Sequence, residues 1–443
     1  MAKRNVDLLL LNSGELLTCA GPAEGIRGAA LERVERLEGG AVAIDAGRIV
    51  AIGPSEQIER QFDATERIDA GGRLVSPGLV DPHSHLLYGG TRHEEYESLL
   101  TSRGAPPTME RGIQSTVRRT RDADDAALQA QAQADLDLML AHGTTTLEAK
   151  TGYGLRMDDE LRLLRLTATL RHAVDVVPTF LPLHVLPDEY AARRGDYIGE
   201  AIAALPQAAR LARYCDVSCD PSCFTADECA AVGEAALGLG MRIRVHADQT
   251  GDAGGAALAA RLHASAADHL DYANDEGLRA MAAAGTVATL LPGVTLHLCE
   301  MTPRLRNGSL EAPSKPFLPQ LARRAIDAGV VVALSTDYNP GSCPTQSMQI
   351  VMQLAARLFR LSYAAVWNMC TLNAARALDL SHDRGSIELG KRADLLVWTV
   401  PAHGLAINRF GVNQVDTVIA AGRVVARDGR IIDSAVRSFV QPA

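Results

Sequence analysis

Between Leu79 and Asp337, short apolar runs alternate with Ala-, Leu- and Arg-rich stretches of helical character. The runs are LVD (79–81), TTTLEAK (144–150), VVPTFLPLH (176–184), YCDVSC (214–219), RIRVHA (242–247), SAADHL (265–270), TVATLLP (286–292) and VVVALSTD (330–337). Strands buried on both faces read as near-continuous apolar runs, and strands joined through helices pair in parallel. Eight of them predict an α/β fold, a TIM-like (β/α)8 barrel. The helical stretch ADDAALQAQAQADLDLMLAHG ends at Gly143, where a glycine suits a helix C-terminus. Met348, Met352 and Leu358 fall on one helix and read as core.

The two ends of the chain differ from the middle and resemble each other. Residues 5 to about 72 read as short strands with turns, and the DAGR (45–48) and DAGG (69–72) steps predict hairpins. After Leu380 the same style returns in RGSIELGKRADLLVWTV and VDTVIAAGRVVARDGRII. The expectation is a small composite β-sandwich domain built from residues 1–72 and 387–443, with the barrel at 73–386 inserted between its halves.

Composition narrows the partners. The chain has 443 residues, 47% of them hydrophobic and 22% charged, with a net charge of −9. That balance suits a soluble globular protein and argues against nucleic acid or an anionic membrane as partner. No apolar run reaches the length of a membrane span, and the N-terminus lacks a signal-peptide core, so the cytoplasm is the expected location. Cys215, Cys219, Cys223 and Cys229 lie close together, but their spacing does not match the paired two-residue spacing of zinc ribbons. They read as free thiols of a reducing compartment.

The chemistry gathers at predicted strand ends. In SPGLVDPHSHLLYGG, His83 and His85 are two residues apart, so strand alternation points both imidazoles to one side. His246 in RVHADQ, His269 in SAADHLDY and Asp337 in STDYNPGS also end strands. The carboxyl ends of barrel strands form one face, where ligands and catalytic groups collect. His83, His85, His246 and Asp337 are the expected ligands of one divalent metal, zinc first and iron second. His269 is then a catalytic imidazole beside the metal, and Asp337 both touches the metal and accepts a proton.

These motifs resemble the amidohydrolase superfamily. YGGTRHEEYE, TTTLEAKTGYGL, TFLPLHVLPDEY, SAADHLDY, LLPG and STDYNPGSCP together resemble the imidazolonepropionase family over nearly the whole chain. The resemblance implies a mononuclear metal that activates water against a five-membered imidazolone ring with a propionate tail. It implies that Arg92 meets the propionate, as a guanidinium suits a carboxylate. It places Tyr153 and His184 against ring or tail, puts Asn339 and Gly341 along the pocket, and implies a homodimer. Lys150 raises a carbamate-bridged two-metal reading, but its place on the second strand favours a structural or substrate role.

Three departures fall around the substrate. Gln249 stands where the family pattern has Glu. MERGIQST (109–116) replaces a glycine-rich stretch after a loop carrying Pro106 and Pro107. A long segment after LLPG adds His297, Cys299, Arg304 and Arg306. The ligand set is intact, so altered specificity is a better reading than decay. An amine leaving group needs a general acid, a contribution of ~10²–10⁴-fold, and an amide cannot titrate. Sulfide needs one less, since a thiol ionises near pH 8.5 (free Cys, about). The expectation is therefore hydrolysis at C2 of 3-(5-oxo-2-thioxoimidazolidin-4-yl)propionate, releasing hydrogen sulfide and 3-(2,5-dioxoimidazolidin-4-yl)propionate. Gln249 then serves the reaction as a neutral hydrogen-bond donor. Imidazolonepropionase-type ring opening, with Gln249 tolerated, is the alternative; a non-catalytic metal-binding scaffold is the reading from another class.

Overall fold

The computed structural model describes residues 3–101, 112–301, 305–306, 309–310 and 319–439. Pro106, Pro107 and Arg304 lie outside the described residues, as do the side chains of Cys299 and Arg306.

Eight parallel strands form the central sheet: β1 (Leu79–Asp81), β2 (Thr144–Lys150), β3 (Asp175–Leu183), β4 (Tyr214–Cys219), β5 (Arg242–Ala247), β6 (Ala266–His269), β7 (Val287–Leu290) and β8 (Val332–Leu334). They lie side by side in chain order, β1 at one edge and β8 at the other. The seam closes just beyond these strands. Ser84 and Tyr338 form a parallel bridge, and the His85 N–H donates to the Tyr338 carbonyl at 2.8 Å. The Asp337 N–H donates to the His83 carbonyl at 3.0 Å. This is the (β/α)8 barrel expected from the apolar runs. Leu147, Phe180, Val217, Val245, Leu290 and Leu334 are fully buried in one core. Each such side chain contributes about 1.5–3 kcal/mol relative to exposure.

The helix Asp125–Ala141 follows its sequence signals. Asp124 caps it by accepting from the Ala127 N–H at 2.7 Å, and Gly143 just beyond it has φ +95°. The helix Ala226–Gly238 starts with a capping box between Thr225 and Glu228. Met348 and Met352 are buried in the helix Met348–Leu358, with Leu358 packed against the same core.

The termini build two further sheets. One orders the strands Arg48–Pro54, Gly40–Asp45, Arg4–Leu11 and Phe62–Asp69. The other interleaves both ends of the chain. Leu74–Pro77 pairs with Glu15–Leu17 on one side and Leu395–Trp398 on the other. Leu8, Leu10, Val42 and Ile44 of the first sheet share a core with Val75, Leu395, Val397 and Ile419 of the second, which makes a composite sandwich.

One expected hairpin is wrong. The turn at 45–48 does join paired neighbours, with Ala46 and Gly47 at φ +48° and +74°. The turn at 69–72 does not: Phe62–Asp69 and Leu74–Pro77 belong to different sheets. Asp69 Oδ1 accepts from the Gly71 N–H at 2.8 Å, so the local turn is present. The same turn chemistry serves a hairpin or a crossing between layers, and long-range pairing decides which.

Candidate active site

The carboxyl ends of the barrel strands and the loops after them bring six candidate residues together. His83 and His85 follow β1, His246 lies on β5, His269 ends β6, and Asp337 follows β8. His184, just after β3, stacks on His85 with centroids 4.9 Å apart and planes 7° from parallel. Ligand-type atoms of His83, His85 and Asp337 lie within 4.8 Å of one another; so do those of His83, His246 and His269, and those of His85, His184 and His246. Asp337 Oδ1 is 3.3 Å from His83 Nε2 and 3.5 Å from His85 Nε2.

This cluster fits a cation by its orphaned atoms. His83 Nε2, His246 Nε2, His269 Nδ1 and Asp337 Oδ1 are buried without a hydrogen-bond partner. Buried polar atoms are ordinarily satisfied, so several orphans around one point mark a ligand. Burial holds the His83 and His85 imidazoles well below their usual value, neutral and ready to offer a lone pair. Burial pushes the Asp337 carboxyl well above the carboxylate range. His269 and Asp337 also sit at φ +74° and +50°, unusual for non-glycine residues. Such backbone strain concentrates at functional sites.

Fixed polar contacts hold the loops. Asp248 accepts from the N–H groups of Ala253, Gly255 and Ala256 at 2.8–2.9 Å, tying down the loop that carries Gln249. Asp220, after β4, accepts from the Thr250 N–H at 2.7 Å and clasps the two loops together. Glu160 accepts from the N–H groups of Gly152, Gly154 and Leu155 at 2.6–2.7 Å, shaping the turn that presents Tyr153. Gly152 has φ +110°, and a Cβ there would come within 2.8 Å of His184 Nδ1.

The cluster opens into a cavity of about 210 Å³ lined by Arg92, Tyr153, His184, Gln249, His269 and Asn339 among others. Arg92 is held in a two-point pair with Glu95, at 2.9 and 2.8 Å. Asn339 spends its amide on its own loop, donating to the Asp337 carbonyl at 2.6 Å and accepting from the Gly341 and Ser342 N–H groups at 2.8 Å. A Cβ at Gly341 would collide with the Arg92 guanidinium, so the glycine leaves room for that side chain. His297 lines the cavity and stacks on Tyr96, centroids 5.2 Å apart. A larger cavity of about 620 Å³ opens beside the terminal sheets around Asp7, Glu66, Arg423 and Phe439. None of the described residues there belongs to a metal-ligating group, whereas His85, His184, His246, His269 and Asp337 of such groups line the smaller cavity.

Sequence reasoning did not single out Ser218, Asp216 or Asp268. Ser218 is two residues beyond Asp216 on β4, lines the cavity, and has a buried hydroxyl without a partner. The signal was a charged or polar residue inside an apolar strand, which burial tolerates only with a partner or a task. Of the clustered cysteines, Cys215, Cys219 and Cys229 are buried free thiols, and half-buried Cys223 lines the cavity. Burial pushes the Cys223 thiol up to about 11.

Comparison with known proteins agrees with this geometry. The amidohydrolase family profile matches residues 74–425, and a profile for an imidazolonepropionase-like composite domain of bacteria matches residues 40–64. The chain belongs to the amidohydrolase family, on its imidazolonepropionase-like branch. An imidazolonepropionase of Symbiobacterium thermophilum is 40% identical over 97% of this chain and 99% of its own length. One from Geobacillus kaustophilus is 40% identical over 89% and 92%. Among solved structures, a zinc-bound adenosine deaminase from Xanthomonas campestris shares the fold with a TM-score of 0.68 at 20% identity, covering 98% of this chain and 95% of its own. An atrazine chlorohydrolase mutant from Arthrobacter aurescens gives 0.65 at 18%, covering 96% of each chain.

Proposed function

We propose that this chain uses one divalent cation to hydrolyse a five-membered imidazolone-type ring bearing a carboxylate tail. The observation that carries the reading is the set of orphaned imidazole and carboxylate atoms meeting at the floor of the cavity that holds Arg92. His83, His85, His246 and Asp337 would hold the cation, and zinc, then iron, suits that donor set. When bound, such an ion lowers the pKa of a coordinated water to about 7, supplying a nucleophile at neutral pH.

The protein's own groups do the rest. Arg92, braced by Glu95, binds the carboxylate tail and sets the ring's direction. Tyr153 and His184 flank the ring. His269 and Asp337 hold and pass the water's proton. The names of relatives 40% identical support ring opening of 4-imidazolone-5-propionate to N-formimino-glutamate as the leading reaction.

A second reading rests on Gln249. Its amide lines the cavity and can donate a hydrogen bond, but cannot shuttle a proton to a leaving amine. That side chain suits attack at C2 of a 2-thioxo ring with loss of hydrogen sulfide and the ring left intact.

One experiment separates the readings. The metal-loaded protein is given 4-imidazolone-5-propionate and, in parallel, 3-(5-oxo-2-thioxoimidazolidin-4-yl)propionate. N-formimino-glutamate without sulfide supports the first reading. Sulfide with 3-(2,5-dioxoimidazolidin-4-yl)propionate supports the second. Turnover of neither by protein that has bound its metal contradicts both.

A further inference from the structure

Beneath the imidazole cluster lies a layer of buried charge with no direct part in the proposed reaction. Glu148 and Lys150 come from β2, Asp216 from β4, Arg244 from β5 and Asp268 from β6, and all five side chains are fully buried. Lys150 Nζ is 2.8 Å from Glu148 Oε1, 2.6 Å from Asp216 Oδ2 and 3.4 Å from Asp268 Oδ2. An ammonium has three donors, and here three carboxylate oxygens surround it. No direction is left for a metal-bridging carbamate, which would also set a fourth negative group among three.

The two aspartate oxygens that face Lys150 also face the metal cluster. Asp268 Oδ2 lies 2.7 Å from His83 Nδ1, and Asp216 Oδ2 lies 3.1 Å from His246 Nδ1. A carboxylate behind the far nitrogen of a ligand imidazole fixes its tautomer and orientation and raises its basicity. Asp268 is further gripped by Arg244 through both oxygens, at 3.0 and 3.1 Å. Arg244 in turn donates to the Pro82 carbonyl beside His83 at 2.8 Å.

We propose that Lys150 is a positioning residue: one buried ammonium braces the two carboxylates that aim His83 and His246, so metal affinity depends on a lysine that never touches the metal. Without its charge, Glu148, Asp216 and Asp268 face one another with Arg244 as the neighbouring cation. Their repulsion moves both aspartates off their imidazoles together. The inference rests on the proposed metal site.

The test measures metal binding rather than turnover. Chelated wild type, Lys150→Met, Asp268→Asn and the double variant are titrated with cobalt(II), following its ligand-field absorption, and with zinc against a competing chelator. Circular dichroism and the thermal midpoint of the metal-free proteins report folding. Folded Lys150→Met is expected to bind metal about 10–100-fold more weakly, the usual effect of losing an outer partner of a ligand. Its cobalt spectrum should change, and the double variant should lose much less than the product of the single losses. Unchanged affinity and spectrum in folded Lys150→Met, or independent losses in the double variant, overturn the proposal. If Lys150→Met does not fold, Asp216→Asn and Asp268→Asn decide: weaker binding with altered spectra supports the brace, and wild-type binding in both overturns it. Failure of wild type itself to take up either ion contradicts the metal site instead.

Discussion

Thr336 joins the last barrel strand to the first through Asp81: its hydroxyl donates to Asp81 Oδ2 at 2.6 Å, and its N–H to Asp81 Oδ1 at 3.0 Å. Ser335 donates to the same carboxyl, and Asp337 is the next residue along. The seam of the barrel and the placing of an expected metal ligand are therefore one structure. Asp81→Ala leaves the Thr336 N–H and hydroxyl without their acceptor, at about 1–3 kcal/mol for each group left unsatisfied, while Ser335 keeps the His83 carbonyl at 3.0 Å. Urea unfolding of the metal-free protein should show a clear loss of stability, with weaker metal uptake in the folded fraction. Wild-type stability and uptake would show that the seam closes without Asp81.

Arg92 has its Glu95 partner on one side and the cavity on the other. Replacing it with Met should raise KM for a carboxylate-tailed substrate. Losing a charge-assisted hydrogen bond of about 1.5–3 kcal/mol corresponds to roughly 10–100-fold in kcat/KM. Gly341→Ala should act in the same direction by displacing the guanidinium. Steady-state kinetics on substrates with and without the tail check this: the tailless ring should be insensitive to both changes, and equal losses on both substrates would contradict the assignment.

Gln249 decides between leaving groups under the second reading. Gln249→Glu should then raise amidine ring opening relative to sulfide release, since a carboxyl group can carry a proton and an amide cannot. Paired assays of both products from the same preparation measure the ratio. A ratio unmoved by the substitution would remove Gln249 from any role in reaction choice.

His269 gives the metal-free protein a predictable acid limb. Burial, reinforced by the neighbouring His246, lowers its pKa from 6.5 to about 3. Between those values the unfolded chain holds a proton that the folded one refuses. The stabilisation is complete above pH 6.5 and is lost as the pH falls toward about 3. His269→Asn should make stability fall less steeply across that window, by up to one proton, about 1.4 kcal/mol per pH unit. Denaturant midpoints of chelated wild type and variant from pH 4.5 upward, on the order of half a unit apart, would reveal it. Identical slopes would contradict the burial of a neutral imidazole.

Much of this architecture was legible in the sequence because burial on both faces leaves a strong mark. The barrel strands are short runs buried on both faces, mostly apolar but carrying buried charge in β2, β4, β5 and β6, and the candidate ligands lie at or just beyond the ends of β1, β5, β6 and β8. The DAGG turn misled because turn residues specify a local backbone shape and not the partner of the next strand. The buried layer under the site was harder to see. Lys150 was visible as an oddity, yet its three carboxylate neighbours come from β2, β4 and β6, and only the closed barrel brings them together. Gln249 is the reverse case: its identity was plain, and its consequence depends on the leaving group.

The central claim is that a single cation held by His83, His85, His246 and Asp337 makes the attacking water. The most direct measurement is to chelate the protein fully and titrate zinc back while recording both metal content and hydrolysis of the better ring substrate. The account predicts no turnover in the stripped protein, recovery to a plateau at one metal per chain, and no recovery in His83→Ala. Full turnover by protein proved free of metal would contradict it.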